Sequence, residues 1–131
     1  MRTISEAVKW ARAMDGKPAP GGPGHCQELV RDAYALPAWA TSAKLAFERT
    51  PHDQLHTGKD WHAIPEGAFV YFPTLSDYGH VILSLGGGKA LSNDYKTRGI
   101  ASIVPVDIPN WHGAEHFGAW SLWTPFGVAR N

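Results

Sequence analysis

The single cysteine of the chain, Cys26, has the clearest potential for chemistry. It follows a loop, residues 17–24, with three prolines and three glycines, and it opens a segment whose apolar residues recur at helical spacing. A thiol in the first turn of a helix lies near backbone N–H groups and the positive end of the helix dipole, both of which lower its pKa. This position makes a nucleophilic cysteine about as well supported as one that only packs in the core.

His80 is the matching candidate for a general base, because it begins a predicted β-hairpin whose other strand ends at Asp94. With a three-residue loop at 86–88, His80 pairs with Asp94 in the antiparallel ladder, and paired residues point to the same side. A nucleophilic cysteine needs a base within hydrogen-bond reach and a third group that orients the imidazole. We therefore predict a catalytic set of Cys26, His80 and Asp94.

The loop of this hairpin decides which residue orients the ring. The three-residue loop also pairs Leu85 with Lys89, and it places four apolar residues on the face opposite His80: Val81, Leu83, Leu85 and Leu91. A two-residue loop would place Asn93 opposite His80 and scatter the leucines over both faces, which is less consistent with one buried face. Asn93 and Ser92 remain as alternatives to Asp94.

Three helices followed by strands must position these residues. Helical spacing predicts a first helix capped by Ser5 and ended by 15–16, a second from about His25 to before Pro37, and a third over 41–49. Runs of β-branched and aromatic residues between turn signals predict strands at 68–72, 79–85, 89–94, 100–108 and 119–123. Helices first and a mostly antiparallel sheet afterwards is an α+β layout.

The size and charge of the chain limit its class. Its 131 residues suit one domain, 1–131, with a buried core. The 12 basic and 12 acidic residues balance, and no basic run predicts binding to nucleic acid. No run of about 18 apolar residues predicts membrane insertion, and the first residues lack the apolar stretch of a secretory signal. We expect a monomer, made as a soluble protein without an export signal.

Three motifs carry a resemblance to a known family. Residues 24–30 read GHCQELV at a helix start, residues 65–70 read PEGAFV at the entry to a strand, and residues 79–88 read GHVILSLGGG. In this order and spacing, over roughly residues 5–124, the chain resembles the NlpC-like and CHAP-like cysteine peptidases and amidases, particularly the peptidase domains of endolysins from phages of actinobacteria. The resemblance implies a papain-like fold, with N-terminal helices packed on a sheet of about five strands.

The same resemblance implies an activity and partners. The expected enzyme is a cysteine endopeptidase or an N-acetylmuramoyl-L-alanine amidase that cuts the stem peptide of bacterial peptidoglycan through a thioester acyl-enzyme, without a cofactor. A bacteriolytic protein of this kind stays in the host cytoplasm until a phage holin releases it to the cell wall, and it can work beside other lysin domains. Many relatives read Asp-Cys-Ser around the nucleophile, whereas this chain reads His25-Cys26-Gln27, with no evident upstream side chain for the oxyanion hole.

A zinc-dependent wall hydrolase is one alternative. His112, Glu115 and His116 match the H-x-x-E-H pattern of a zinc peptidase class, and His52 and His56 form another pair at helical spacing. The first motif follows a Pro-Asn-Trp run and contains a glycine, which leaves little room for the helix that must bring both histidines to one ion. Solvated loop histidines are the ordinary explanation.

A non-catalytic module that binds the cell wall is the other alternative, because the chain has six tryptophans. Trp10 fits a helix face and Trp120 and Trp123 fall in a late strand, which favours the core for these three. Four other residues are predicted to bind substrate: Trp61, Trp111, Tyr78 and Asn93. The two tryptophans among them lie beside polar loops. In the binding-module alternative, tryptophans stack on sugar and Cys26 only packs.

Overall fold

Helices occupy the first part of the chain and strands the second. The computed structural model describes residues 1–109, 111 and 113–131. In these ranges the helical elements are α1 (Ile4–Ala13), α2 (Cys26–Ala33) and α3 (Ala43–Arg49), followed by short 3-10 turns at His52–Gln54 and Trp61–Ala63. The strands are β1 (Phe69–Phe72), β2 (His80–Gly86), β3 (Lys89–Asn93), β4 (Ala101–Pro105), β5 (Ala119–Ser121), β6 (Trp123–Thr124) and β7 (Gly127–Val128). This order confirms the predicted α+β class.

One antiparallel sheet of five strands organises the molecule, in the order β4-β3-β2-β1-β5. The strand β2, which begins with His80, is therefore central and has a neighbour on each side. A separate hairpin of β6 and β7 follows the sheet. The single strand predicted over 119–123 is therefore divided between β5, in the sheet, and β6, in this hairpin. A mostly antiparallel sheet of five strands is thus confirmed.

The first helix is capped two residues earlier than predicted. Thr3, not Ser5, is the N-cap, since its hydroxyl accepts from the Glu6 N–H while the Glu6 carboxylate accepts from the Thr3 N–H. This reciprocal pair is a capping box, which satisfies two backbone donors where an N-cap hydroxyl alone satisfies one. Ser42 caps α3 by accepting from the Leu45 N–H.

The hairpin of β2 and β3 has the predicted register at two of its pairs. Leu83 pairs with Leu91 and Ser84 pairs with Ala90, but Lys89 faces Gly86 instead of Leu85. The ladder shifts there because Gly86 adopts a left-handed conformation, with φ of 78°, and forms a bulge that only a residue without Cβ accommodates easily.

Each face of the sheet packs into its own core. The helices cover the face that carries Val81, Leu83, Leu85 and Leu91. The other face carries Val70, Phe72, Ile82 and Ala90, and it packs against the segments around Ile64 and Val106. The alternation predicted for β2 is therefore confirmed. Among the described residues, no helix combines the length and the hydrophobicity that crossing a bilayer requires.

Candidate active site

Cys26 is the first residue of α2, and His25 is the N-cap. The Pro/Gly-rich loop before it turns sharply, and α2 packs against β2, so the thiol lies at the contact between the helix start and the sheet. Its side chain is buried, with an exposed fraction of 7%. The predicted position of the cysteine, in the first turn of a helix, is confirmed.

The pKa of the Cys26 thiol is higher than the helix position alone predicts. Burial raises this pKa above its ordinary value, and the nearby negative charge of Asp94 adds to the rise. The backbone N–H groups of Val81 and Gln27 favour the thiolate, but their effect is smaller than that of burial. The expectation of a lowered pKa is therefore wrong, because desolvation outweighs the N–H groups near the thiol.

His80 is the first residue of β2 and is also buried. Its Nε2 lies 3.1 Å from the hydroxyl oxygen of Ser92, which is on β3. The His80 ring also packs against the ring of Trp111, with 5.0 Å between the centroids. Ser92, one of the two alternatives considered from the sequence, thus contacts the histidine ring directly.

Asp94 lies just beyond the end of β3 instead of pairing with His80 in the ladder. Its φ is 73°, a left-handed conformation that aspartate tolerates better than most residues. One carboxylate oxygen accepts from the Gly24 N–H at 2.9 Å and the other accepts from the Gly99 N–H at 2.6 Å. Asp94 therefore ties the loop before Cys26 to the turn after β3.

A cleft at the start of β2 brings the predicted catalytic residues together. Cys26, His80 and Asp94 all line it, and Trp111 and Tyr78 form other parts of its wall. Its volume is about 310 Å³. We name it the histidine cleft. The thiol and the imidazole belong to opposite layers of the fold, and they reach one surface because each lies at the first residue of its element.

A second cleft opens on the other side of the cysteine. It has a volume of about 460 Å³ and lies between α2 and the segment 38–43. We name it the α2 cleft. It shares four residues with the histidine cleft: Gly24, Cys26, Tyr78 and Gly79. Cys26 therefore lies where the two clefts meet.

The α2 cleft contains residues that the sequence analysis did not select. Gln27 and Arg31 line it and lie four residues apart on α2, a spacing that places them on one helix face. This spacing is visible in the sequence, but nothing in the sequence shows that the segment 38–43 leaves the face open.

The four predicted substrate-binding residues divide into two pairs. Tyr78 is 75% exposed and lines both clefts, and Trp111 lines the histidine cleft. Trp61 instead packs edge-on against Phe117, at 5.1 Å between centroids, in the core on the far face of the sheet. Asn93 is fully buried, and its amide donates to the backbone oxygen of Gly22. Neither of this second pair lines the two clefts.

Two of the residues proposed for zinc, Glu115 and His116, lie in a turn. His112 falls outside the described residues, Glu115 is exposed, and His116 Nδ1 lies 3.0 Å from the Thr74 hydroxyl. His52 belongs to a 3-10 turn, whereas His56 stacks on Trp120, so this pair does not share a helix. Within 1–109, 111 and 113–131, no cluster of three His, Cys, Asp or Glu side chains could hold a metal ion.

Comparison with known proteins relates the fold to one solved structure. No protein-family model matches the chain, and no curated protein matches it. The chain is similar to the crystal structure of a wild-type endolysin, LysIME-EF1, with a TM-score of 0.67 and 12% sequence identity. The match covers 92% of this chain and 63% of that chain, so this chain spans less than two thirds of that protein. At this level of identity, the similarity shows a shared fold.

Proposed function

We propose that the chain is a peptidoglycan hydrolase in which Cys26 is the nucleophile and His80 is the general base. The observation that carries this proposal is the histidine cleft, because a thiol and an imidazole, each at the start of its element, line one surface there. The similarity in fold to a chain described as an endolysin supports peptidoglycan as the substrate. The three motifs that resemble NlpC-like and CHAP-like enzymes support the cysteine mechanism and a papain-like subclass.

The raised pKa of the thiol sets the order of the chemical steps. At neutral pH Cys26 carries its proton, so His80 must remove this proton as the sulfur attacks the carbonyl carbon of the stem peptide. The tetrahedral intermediate collapses to a thioester, and the protonated His80 gives its proton to the departing amine. Water, deprotonated by His80, then attacks the thioester and releases the acid product and the thiol.

Ser92 fits the role of the group that orients His80. It lies 3.1 Å from Nε2 of the ring, and in this proposal Nδ1 is the nitrogen that serves the thiol. Asp94 fits a different role from the one predicted, because both of its carboxylate oxygens accept from backbone N–H groups. In this proposal Asp94 anchors the loop before Cys26 and adds a carboxylate to the cleft that His80 lines.

The start of α2 supplies one donor for the oxyanion. The first N–H groups of a helix have no partner within the helix, and the N–H of Cys26 is one of them. It therefore fits an oxyanion-hole donor. Tyr78 and Trp111, on the walls beside Cys26, fit contacts to the stem peptide. The substrate bond is an endopeptide bond or the muramoyl-alanine amide, and the proposed partners are peptidoglycan and, in a phage, a holin.

Mass spectrometry of peptidoglycan after digestion tests the proposal. Wild-type protein should release new stem-peptide fragments, Cys26→Ala should release none, and a chelator should change nothing. The masses of the fragments also identify the bond that is cut. Fragments that persist with Cys26→Ala would contradict the cysteine mechanism, and cleavage that the chelator stops would favour a metal enzyme. Binding to peptidoglycan without any cleavage would favour the binding-module alternative.

A further inference from the structure

The α2 cleft has a polar wall that the proposed chemistry does not use. Gln27 is 93% buried, since its exposed fraction is 7%, and among the described residues its Nε2 has no hydrogen-bond partner. Arg31, one turn further along α2, also has a buried nitrogen, Nε, without a partner in the described part of the chain. Buried donors are nearly always paired in native proteins, so two neighbouring unpaired donors indicate a site for a ligand that accepts hydrogen bonds.

The guanidinium of Arg31 is held in place by two carboxylates. Glu28 Oε1 lies 3.6 Å from Nη2, and Asp32 Oδ1 lies 3.7 Å from Nη1. These ion pairs engage the terminal nitrogens and leave Nε unpaired among the described residues, on the helix face that also carries Gln27, four residues earlier. The amide of Gln27 can exchange its nitrogen and oxygen by a half-turn, so it can direct a donor to a ligand that enters the cleft.

The shape of the cleft suits a peptide. Three alanines line it, Ala38, Ala40 and Ala43, and their small side chains leave room opposite α2. The cleft is continuous with the surface of Cys26, so a chain bound across the nucleophile extends into it. A group bound at Gln27 and Arg31 then belongs to the same molecule whose carbonyl reacts with the thiol.

We propose that Gln27 and Arg31 form a specificity subsite that binds a carbonyl or carboxylate oxygen of the substrate peptide. The identity of the peptide in this inference rests on the proposed function. The existence of the site does not, because it rests on the two unpaired donors in the cleft. Stem peptides offer both chemistries, because the second residue can carry a free α-carboxylate or its amide. Both forms present the acceptor oxygen that the two donors lack.

Binding to Cys26→Ala tests the subsite without turnover. The ligands are two synthetic muramoyl peptides that differ only in a carboxylate or a carboxamide at the second residue. In this background, Gln27→Met and Arg31→Lys should each raise Kd about tenfold for at least one peptide, since each removes a donor at nearly constant volume. Lys9→Gln, on the exposed face of α1, is the control and should leave Kd within about twofold. Loss of affinity for the carboxylate alone identifies an anion subsite, and equal loss for both peptides identifies a carbonyl subsite.

Kinetics and stability separate this subsite from a structural role. In the active chain the same changes should raise KM about tenfold and leave kcat within about twofold, because they remove binding that substrate and transition state share. Gln27→Met should keep or raise Tm, since it replaces an unpaired buried amide with an apolar group; a structural amide would lower Tm and leave KM unchanged.

The outcomes of the two proposals are distinguishable. Normal affinity of both variants overturns the subsite and leaves the hydrolase standing. Loss of affinity in a protein whose wild type cuts nothing sustains the subsite and overturns the hydrolase. Failure of Cys26→Ala to bind either peptide overturns the subsite, whatever the wild type cuts.

Discussion

At the scale of single residues, the orientation of His80 is the feature on which activity should depend most finely. Ser92 lies at Nε2 of the ring, and Trp111 packs on the ring from the side. A histidine that serves as base must keep one tautomer and one orientation while it exchanges a proton. The Ser92 hydroxyl can hold the ring in place for either tautomer, because a hydroxyl can donate or accept a hydrogen bond.

Ser92→Ala should therefore lower kcat about tenfold or more, by analogy with other groups that orient a catalytic histidine. Ser102→Ala is a matched control, because Ser102 is also buried, faces Ser92 across the β3–β4 ladder, and has a hydroxyl without a partner among the described residues. The measurement is the rate of fragment release as a function of pH for both variants. If both serines can be replaced without loss of rate, Ser92 does not orient the base.

The residue scale also shows the limit of sequence-based prediction. The position of Cys26 at a helix start and the shared face of His80 and Ser92 follow from periodicity and were predictable. The raised pKa of the thiol could not be predicted, because it results from the burial of Cys26 in the folded protein. Asp94 was predicted to face the ring because the ladder was extended beyond its last pair, Leu83 with Leu91. Nothing in the sequence near Asp94 shows that Gly24, seventy positions away, donates to its carboxylate.

At the scale of elements, the turn that carries Tyr78 and leads into His80 is fixed against α3. The Lys44 N–H donates to the Tyr78 carbonyl, and a Cβ on Gly79 would lie 3.0 Å from the Lys44 nitrogen. Gly79 also has a φ of 70°, which favours glycine. This turn can therefore approach the start of α3 only with glycine at position 79.

Gly79→Ala should destabilise the protein by about 1–3 kcal/mol more than Gly87→Ala, since its methyl group must displace backbone atoms. Gly87 is the control, because its φ of 61° is similar but a Cβ there meets no atom within 4 Å. Urea unfolding measures both differences, and fragment release should fall for Gly79→Ala alone. Equal destabilisation of the two variants would show that the contact with Lys44 yields at little cost.

At the scale of the whole molecule, the buried thiol couples stability to pH. The folded-state pKa of Cys26 is raised, mainly by burial, so the folded protein prefers the protonated thiol. This contribution to stability is complete below the pKa of the thiol in the unfolded chain, about 8.5, and is lost as pH rises through the folded-state pKa.

Above about pH 8.5 the free energy of unfolding should fall faster in wild type than in Cys26→Ala, by up to about 1.4 kcal/mol per pH unit. The buried Tyr34 and Tyr71, whose pKa values burial also raises, contribute at higher pH in both proteins and cancel in the comparison. Urea unfolding between pH 7 and 10 measures the difference. Parallel curves for the two proteins would mean that the thiol ionises as easily in the fold as in the unfolded chain.

The end of β3 holds three separate parts of the site with three successive residues. Ser92 contacts His80, Asn93 donates to Gly22, and Asp94 accepts from Gly24. In evolutionary terms these positions form one inherited unit, because the deletion of one residue within β3 before them would move all three contacts at once. Descendants of this chain should therefore vary freely in the length of the turn at 87–88 and conserve the spacing from Leu91 to Asp94.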